Sequence, residues 1–339
     1  MNKTLKTFLQ IAFSLGLGAL LIWMVYRNFT EKDKADMIDS FARANYWWIV
    51  LSSCIAVLSH IFRAYRWKFP LRQLGYDLSL ASSFYAVMIG YLFNLAFPRL
   101  GEVTRCAVLA RYQKMPFEKL FGTVIAERLV DLVVLIILIL AAIFMQLELL
   151  RDFLNDLMGP LMEKLESLPF MLTIGVVGIA VAYLGWRFIQ SSQHKVAIML
   201  REKIQGLMDG LIALKRMKNK AGFLLHTVLI WTAYIVMYLV TFQAFPETQG
   251  VSFGGVLASF VLGGISLIAV QGGLGAYPLA VMSILILYGV DKNQGYAFGW
   301  IIWTAQTITI LIAGFISMIA LPFISKKKEY SGIADESLS

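Results

Sequence analysis

The chain has 339 residues, of which 59% are hydrophobic and 15% are charged, and its mean hydropathy is +0.71. These values exclude an ordinary soluble domain and predict a membrane protein. The formal net charge of +9 would favour nucleic acid in a soluble protein, but here Lys and Arg lie in short loops between apolar segments and report membrane orientation. The two cysteines and three scattered histidines form neither a disulfide framework nor a metal-ligand cluster, so we expect no cofactor, no metal and no nucleic-acid partner.

Apolar segments of roughly 20 residues, the length that crosses a hydrocarbon core of about 30 Å, follow one another along the chain. The first is followed by Arg27 and Asn28 rather than by small cleavage-site residues, so we interpret it as a retained helix and not as a signal peptide. We predict full spans at residues 7–26, 46–64, 127–147, 168–188, 222–245 and 296–322.

Two further apolar regions are interrupted by polar or glycine-rich stretches. Residues 79 to 120 contain the run NLAFPRLGEVTR, and residues 252–289 contain the run QGGLGAYP. If both regions are hairpins that enter and leave on one side, the basic loop 187–220 falls on the cytoplasmic side, as positive loops do. The loop 27–45 fits this topology poorly, since it carries four basic residues and must lie outside.

Together these segments predict an all-α polytopic membrane protein with about six full spans plus two re-entrant or broken hairpins arranged as an inverted repeat. We expect a single transmembrane domain at residues 1–325, with inverted halves at about 1–150 and 165–325. Residues 194–216 have the apolar spacing of an amphipathic helix on the cytoplasmic surface. Residues 326–339 form a polar cytoplasmic tail that we expect to be disordered, and the N-terminus is cytoplasmic as well.

The strongest signal for chemistry is a group of six ionisable residues at or near membrane depth. A charged side chain at the centre of a spanning helix costs roughly 2.5 to 3.5 kcal/mol, so these residues must face the protein interior. The three arginines balance the three carboxylates, and the planar fork of arginine suits a phosphate. We predict a substrate-binding site made of Arg99, Glu102, Arg105, Glu127, Arg128, Asp131 and Asn94. The alternative is that the charges are buried ion pairs that only lock the first hairpin against the next span.

Proline removes a backbone donor and glycine permits positive φ, so both allow the turns that the hairpins need. We predict that the hairpins are formed by Pro98, Gly101, Gly272, Gly273 and Gly275.

A second basic group follows the span at 46–64. We interpret it as a positive-inside anchor, with a lipid headgroup site as the alternative. Its members are Arg63, Arg66, Lys68 and Arg72.

The polar motif at 94–105, the ERLVD segment at 127–131 and the GGLG run at 272–275 resemble the flippase-like transmembrane domain of lysylphosphatidylglycerol synthases. The resemblance spans most of the chain. In two-domain members of that family it implies a membrane domain that moves aminoacylated phosphatidylglycerol between leaflets after a soluble domain makes it. This chain has no room for the soluble domain, so the resemblance implies a stand-alone member that transfers no aminoacyl group. The second motif departs from the family pattern at Gln271 and Pro278, where proline and an acidic residue are usual.

These observations favour a lipid transporter, not an enzyme, that moves an anionic phospholipid or a polyprenyl-phosphate-type lipid between leaflets by alternating access. We expect membrane lipids with anionic headgroups as partners and the cytoplasmic membrane of a prokaryote as the location, while a homo-oligomer or a protein partner stays open. The alternatives are a membrane-embedded lipid-modifying enzyme, a small-solute transporter and a non-transporting scaffold.

Overall fold

In the computed structural model, residues 30–97, 100–113, 115–146 and 217–336 are described, together with isolated positions between 20 and 27 and between 183 and 191. Almost all of the spans predicted at 7–26 and 168–188, and the whole amphipathic segment predicted at 194–216, lie outside the described residues.

The described part of the chain is helical and contains no strand. Its helices are α1 (Glu31–Arg43), α2 (Tyr46–Gln73), α3 (Leu80–Ala96), α4 (Leu100–Gln113), α5 (Phe117–Met145), α6 (Lys220–Thr241), α7 (Phe253–Ala269), α8 (Ala276–Leu287) and α9 (Lys292–Glu336). Of these, α2, α5, α6 and α9 are long and apolar enough to cross a membrane, and α3, α7 and α8 are shorter apolar helices. The molecule is therefore an all-α, multi-pass membrane protein.

Three helices extend beyond the spans that hydrophobicity predicts. α2 continues past residue 64 to Gln73, and α5 begins at Phe117, ten residues before the predicted start at 127. The α2 extension carries Arg66, whose charge is paired inside the protein, so this helix does not have to end where the polarity begins. α9 continues to Glu336 and so includes most of the residues 326–339 that the sequence predicts to be a polar tail.

The long helices α2 and α6 pack against each other in antiparallel directions. Before α2, the Asn45 N–H donates to the Ala244 carbonyl just after α6 (2.8 Å). At the other end, the Lys218 N–H donates to Gln73 Oε1 (3.3 Å), so the end of α2 lies beside the start of α6. These two contacts define the ends of the molecule, which we call the Asn45 end and the Gln73 end.

The short helices form two pairs, α3 with α4 and α7 with α8. Leu78 before α3 and Met115 after α4 lie in one apolar cluster with Leu71 of α2, so this pair begins and ends at the Gln73 end. Before α7, Glu247 contacts Arg43 (2.9 Å) and accepts a hydrogen bond from Gln294 after α8 (3.3 Å). The second pair therefore begins and ends at the Asn45 end, and α9 packs on both α3 and α8.

Candidate functional site

Deeply buried ion pairs join α2 to α5. Asp131 lies four residues after Glu127 on one face of α5, and its Oδ1 is 2.7 Å from Arg66 Nη1. Its Oδ2 accepts from Arg63 Nη1 (2.8 Å) and from Arg66 Nη2 (3.1 Å). One carboxylate is thus held by two guanidinium groups whose side chains are 3% and 0% exposed.

A second buried pair joins α4 to α5. Arg105 Nη2 lies 2.9 Å from Glu127 Oε2, and these side chains are 4% and 1% exposed. The Arg105 guanidinium stacks 3.7 Å above the centre of the Trp67 ring, whose indole N–H donates to Thr123 Oγ1 (2.8 Å). Because Arg66 Nε is 3.7 Å from the other oxygen of Glu127, the two buried pairs form one network.

The third pair lies at the open edge of this network. Arg128 Nη2 is 3.0 Å from Glu102 Oε1, and the two side chains are 38% and 22% exposed. Both line a cavity of about 10 Å³, the space of about one water, together with Tyr91 and Asn94. Arg128 Nη1 is also 3.8 Å from Asp131 Oδ2, so the exposed pair is electrostatically connected to the buried ones.

The hairpin between α3 and α4 is closed by backbone contacts. The Gly101 N–H donates to Asn94 Oδ1 (2.8 Å), which ties the start of α4 to the end of α3. A Cβ at Gly90 would lie 2.8 Å from the Gly101 carbonyl oxygen, so the two helices touch through their backbones. Pro98 and Arg99, both predicted to belong here, lie outside the described residues.

The break between α7 and α8 is a glycine turn. Gly272, Gly273 and Gly275 have φ values of 63°, 69° and 71°, a backbone region that a residue with a Cβ rarely adopts. The Trp303 indole N–H of α9 donates to the Gly272 carbonyl (2.6 Å), which fixes this turn against the long helix. The turn also contacts α3, so it lies near the first hairpin.

Arg63 and Arg66 are the members of the network that sequence reasoning missed. Their interpretation as a positive-inside anchor is wrong, since both are buried and paired with Asp131. Their spacing of three residues places both on one face of α2, which is the signal that could have found them. Arg72 differs from both: its side chain is 48% exposed and its Nε lies 2.9 Å from Asp77 Oδ1.

The network has an excess of positive charge. Within the described residues it contains four arginines and three carboxylates. Each of these carboxylates contacts at least one arginine. The arrangement is suited to bind an anion at its exposed edge.

The fold and the site together define a multi-pass integral membrane protein with a buried arginine–carboxylate network. Residues 8–314 match the family described as the lysylphosphatidylglycerol synthase TM region, and the chain belongs to that family.

Two archaeal relatives are similar to the chain. The UPF0104 membrane protein PH1989 of Pyrococcus horikoshii is 24% identical over 310 residues, which cover 85% of this chain and 89% of the relative. The UPF0104 membrane protein MJ1595 of Methanocaldococcus jannaschii is 29% identical over 87 residues, a stretch that covers 25% of this chain and 26% of the relative. No solved structure matches the chain.

Proposed function

We propose that the protein moves an anionic lipid between the leaflets of its membrane, and that the lipid phosphate binds at Arg128. The observation that carries this proposal is the partly exposed pair of Arg128 and Glu102, at the edge of a network that has one more arginine than carboxylate among the described residues. An incoming phosphate, which carries negative charge and accepts bidentate hydrogen bonds from a guanidinium, supplies the missing anion.

The other arginines of the network are less suited to exchange partners. Removing one member of a buried pair costs about 3 to 5 kcal/mol because the remaining charge stays buried without compensation. A partly exposed pair costs only about 0 to 1 kcal/mol to separate. The difference supports a division of roles in which Arg63, Arg66 and Arg105 hold the helices together and Arg128 meets the substrate.

The two pairs of short helices support transport by alternating access. The α3–α4 pair returns to the Gln73 end and the α7–α8 pair returns to the Asn45 end, as in two re-entrant hairpins of opposite orientation. Broken helices at corresponding positions of an inverted repeat are how many secondary transporters place a site at the midplane. We therefore propose inverted halves within one domain of residues 1–325.

The family supports a lipid as the substrate, because its description names a lysylphosphatidylglycerol synthase. The membrane location that we propose is the cytoplasmic membrane of a prokaryote, and both relatives come from archaea.

Leaflet exchange in proteoliposomes tests the proposal. Purified protein is reconstituted with fluorescent phosphatidylglycerol or phosphatidylcholine, and the fraction of probe that dithionite can bleach reports exchange. We expect Arg128→Ala to slow exchange of the anionic probe by at least about tenfold, since a charge-assisted hydrogen bond to phosphate is worth about 1.5 to 3 kcal/mol.

The matched control is Arg72→Ala, which removes an arginine of similar exposure that pairs with Asp77 outside the network. We expect it to exchange lipid like the wild type. Exchange at the wild-type rate in Arg128→Ala would refute the site, and no exchange of any lipid by folded wild-type protein would refute the function.

A further inference from the structure

Polar side chains from three helices meet beside the charged network. His60 lies at the middle of the spanning helix α2, about 20 Å from either end. Its ring lies 4.6 Å from the ring of Tyr91 on α3, centroid to centroid. The Tyr91 hydroxyl in turn lies 3.4 Å from the hydroxyl of Tyr234 on α6. We call His60, Tyr91 and Tyr234 the polar cluster.

One member of the polar cluster is buried with an unsatisfied nitrogen. His60 is 7% exposed, and its Nδ1 has no hydrogen-bond partner among the described residues. The ring of Trp231 packs on that of Tyr234 (5.9 Å, centroid to centroid), and its buried indole N–H also has no acceptor in the described part of the chain. A buried polar group without a partner costs free energy, and ionisable residues inside spans commonly mark substrate pathways. The position of His60 therefore points to a ligand rather than to packing.

The polar cluster adjoins the proposed phosphate site. Tyr91 lines the same small cavity as Glu102 and Arg128. On the other side of the cluster, the Arg63 guanidinium lies 5.9 Å above the centre of the Tyr234 ring. A chemical group that is bonded to a phosphate at Arg128 thus lies next to Tyr91, the nearest member of the cluster.

The chemistry of the cluster suits an uncharged group that carries hydroxyls. A tyrosine hydroxyl both donates and accepts hydrogen bonds, and an imidazole ring can donate from one nitrogen and accept at the other. An ammonium group would be a further cation beside Arg63 and Arg128, and like charges placed together are unfavourable. The nearby carboxylates are already paired, Asp131 with Arg63 (2.8 Å) and Glu102 with Arg128 (3.0 Å). The surroundings therefore favour glycerol or another polyol over ethanolamine, choline or an aminoacyl group.

We propose that His60, Tyr91 and Tyr234 bind the hydroxyl groups of a phosphorylated polyol whose phosphate lies at Arg128. In a membrane, this ligand is the headgroup of a lipid such as phosphatidylglycerol. The assignment rests on the proposed function and names the class of lipid that the site selects.

Leaflet exchange of three matched probes tests the assignment. The probes carry the same fluorescent acyl chains and the headgroups of phosphatidylglycerol, phosphatidic acid and phosphatidylethanolamine, and exchange in protein-free vesicles is subtracted. Phosphatidic acid keeps the phosphate and lacks the polyol, whereas phosphatidylethanolamine carries an ammonium group. We expect the wild type to exchange phosphatidylglycerol at least about tenfold faster than the other two, because a site that hydrogen-bonds a hydroxyl discriminates strongly against a ligand that lacks it.

Two substitutions remove the polar atoms and keep an aromatic ring. Tyr234→Phe removes one hydroxyl, and His60→Phe removes both ring nitrogens beside Tyr91. We expect each to lower the ratio of phosphatidylglycerol exchange to phosphatidic acid exchange by about three- to tenfold, the effect of one lost hydrogen bond. The matched control is Tyr238→Phe, which removes a buried hydroxyl one turn further along α6, in the apolar cluster with Phe242. It should keep the wild-type ratio.

The ratio separates recognition from folding, because a misfolded variant loses exchange of both lipids. A wild-type ratio near one, or substitutions that lower both rates equally, would overturn the assignment and leave the proposed function standing.

Binding in detergent provides a measurement that does not depend on transport. Short-chain phosphatidylglycerol and phosphatidylethanolamine are titrated into the purified protein by calorimetry. We expect the first to bind at least about tenfold more tightly, and His60→Phe to lose most of this preference. Equal affinities in the wild type would refute the assignment. The preference in a wild type that exchanges no lipid would refute the proposed function and keep the assignment.

Soluble glycerol phosphate tests the other source of the same chemistry. It carries the phosphate and the polyol without acyl chains, so it is titrated in the same way and its uptake into proteoliposomes is measured with a radiolabel. We expect weak binding and no uptake. Uptake of glycerol phosphate without lipid exchange would replace the lipid by a soluble ligand, which would refute the proposed function while the polar cluster keeps its role.

Discussion

Replacing Asp131 by Asn tests whether the buried ion pairs of the network stabilise the fold. This is a different role from the substrate binding that we propose for Arg128. Asp131 accepts hydrogen bonds of 2.8, 2.7 and 3.1 Å from Arg63 and Arg66. Asparagine has nearly the same shape, so the substitution removes the negative charge while leaving the packing intact. Two buried guanidinium groups then lose the carboxylate that compensates them.

The expected loss of stability follows from burial. Arg63 and Arg66 are 3% and 0% exposed in their side chains, so water cannot replace the lost carboxylate. Breaking a buried pair by removing one partner costs about 3 to 5 kcal/mol. Glu102→Gln should cost only about 0 to 1 kcal/mol, because Glu102 and Arg128 are 22% and 38% exposed.

The assay is unfolding of the purified protein as sodium dodecyl sulfate replaces a mild detergent, followed by tryptophan fluorescence. Asp39→Asn is the control, since Asp39 pairs with Arg43 on α1 with both side chains about half exposed (62% and 49%). We expect it to lie within about 0.5 kcal/mol of the wild type. An Asp131→Asn protein within about 1 kcal/mol of the wild type would refute this account of the network. So would a Glu102→Gln protein that is destabilised as much as Asp131→Asn.

Two further predictions concern the contact between α3 and α4 and the effect of pH on stability. Gly101→Ala should destabilise the protein by about 1 to 3 kcal/mol, because its Cβ would overlap the backbone of α3. Gly122→Ala, whose Cβ would meet nothing within 4 Å, should be neutral or stabilising in the same detergent unfolding assay, and equal effects would contradict the close contact. Hydrogen bonds from the Thr30 backbone and the Asn293 side chain lower the pKa of Asp33 from 3.8 to about 2. Because the folded pKa is depressed, the stability that Asp33 adds is present above about pH 4 and is lost as the pH falls towards 2. The difference in thermal midpoint between wild type and Asp33→Asn should therefore be constant from neutral pH down to about 5 and then shrink, whereas a constant difference at every pH would rule this out.

Hydrophobicity and charge spacing predict much of this molecule. The apolar runs locate the four long helices of the described chain, because a spanning helix needs about 20 apolar residues whatever surrounds it. The spacing of four residues between Glu127 and Asp131 predicts that both face the same way, and both are buried in α5.

Helix ends and ion-pair partners are harder to predict, for a physical reason. Hydropathy treats Arg63 and Arg66 as residues that end a span, because it counts the cost of each charge without its partner. In the folded protein Asp131 of α5 compensates both, so α2 continues to Gln73. The partner is 65 residues further along the chain from Arg66, and only the packing of α2 against α5 brings them together.

The structure also distinguishes charged residues that look equivalent in the sequence. Glu102 and Arg105 lie one turn apart on α4, but their surroundings differ. Arg105 stacks on Trp67 and pairs with the buried Glu127. Glu102 pairs with Arg128, which is partly exposed. The charged cluster was interpreted either as structural ion pairs or as a substrate site, and the two interpretations apply to different residues. The buried pair of Arg105 and Glu127 fixes α4 against α5. Under the proposed function, the phosphate binds at the pair of Glu102 and Arg128. A site that exchanged its inner pairs would expose a buried charge at each step, at about 3 to 5 kcal/mol. A site that exchanges only Arg128 avoids that cost, which is why loss of transport with little loss of stability is the expected result for Arg128→Ala.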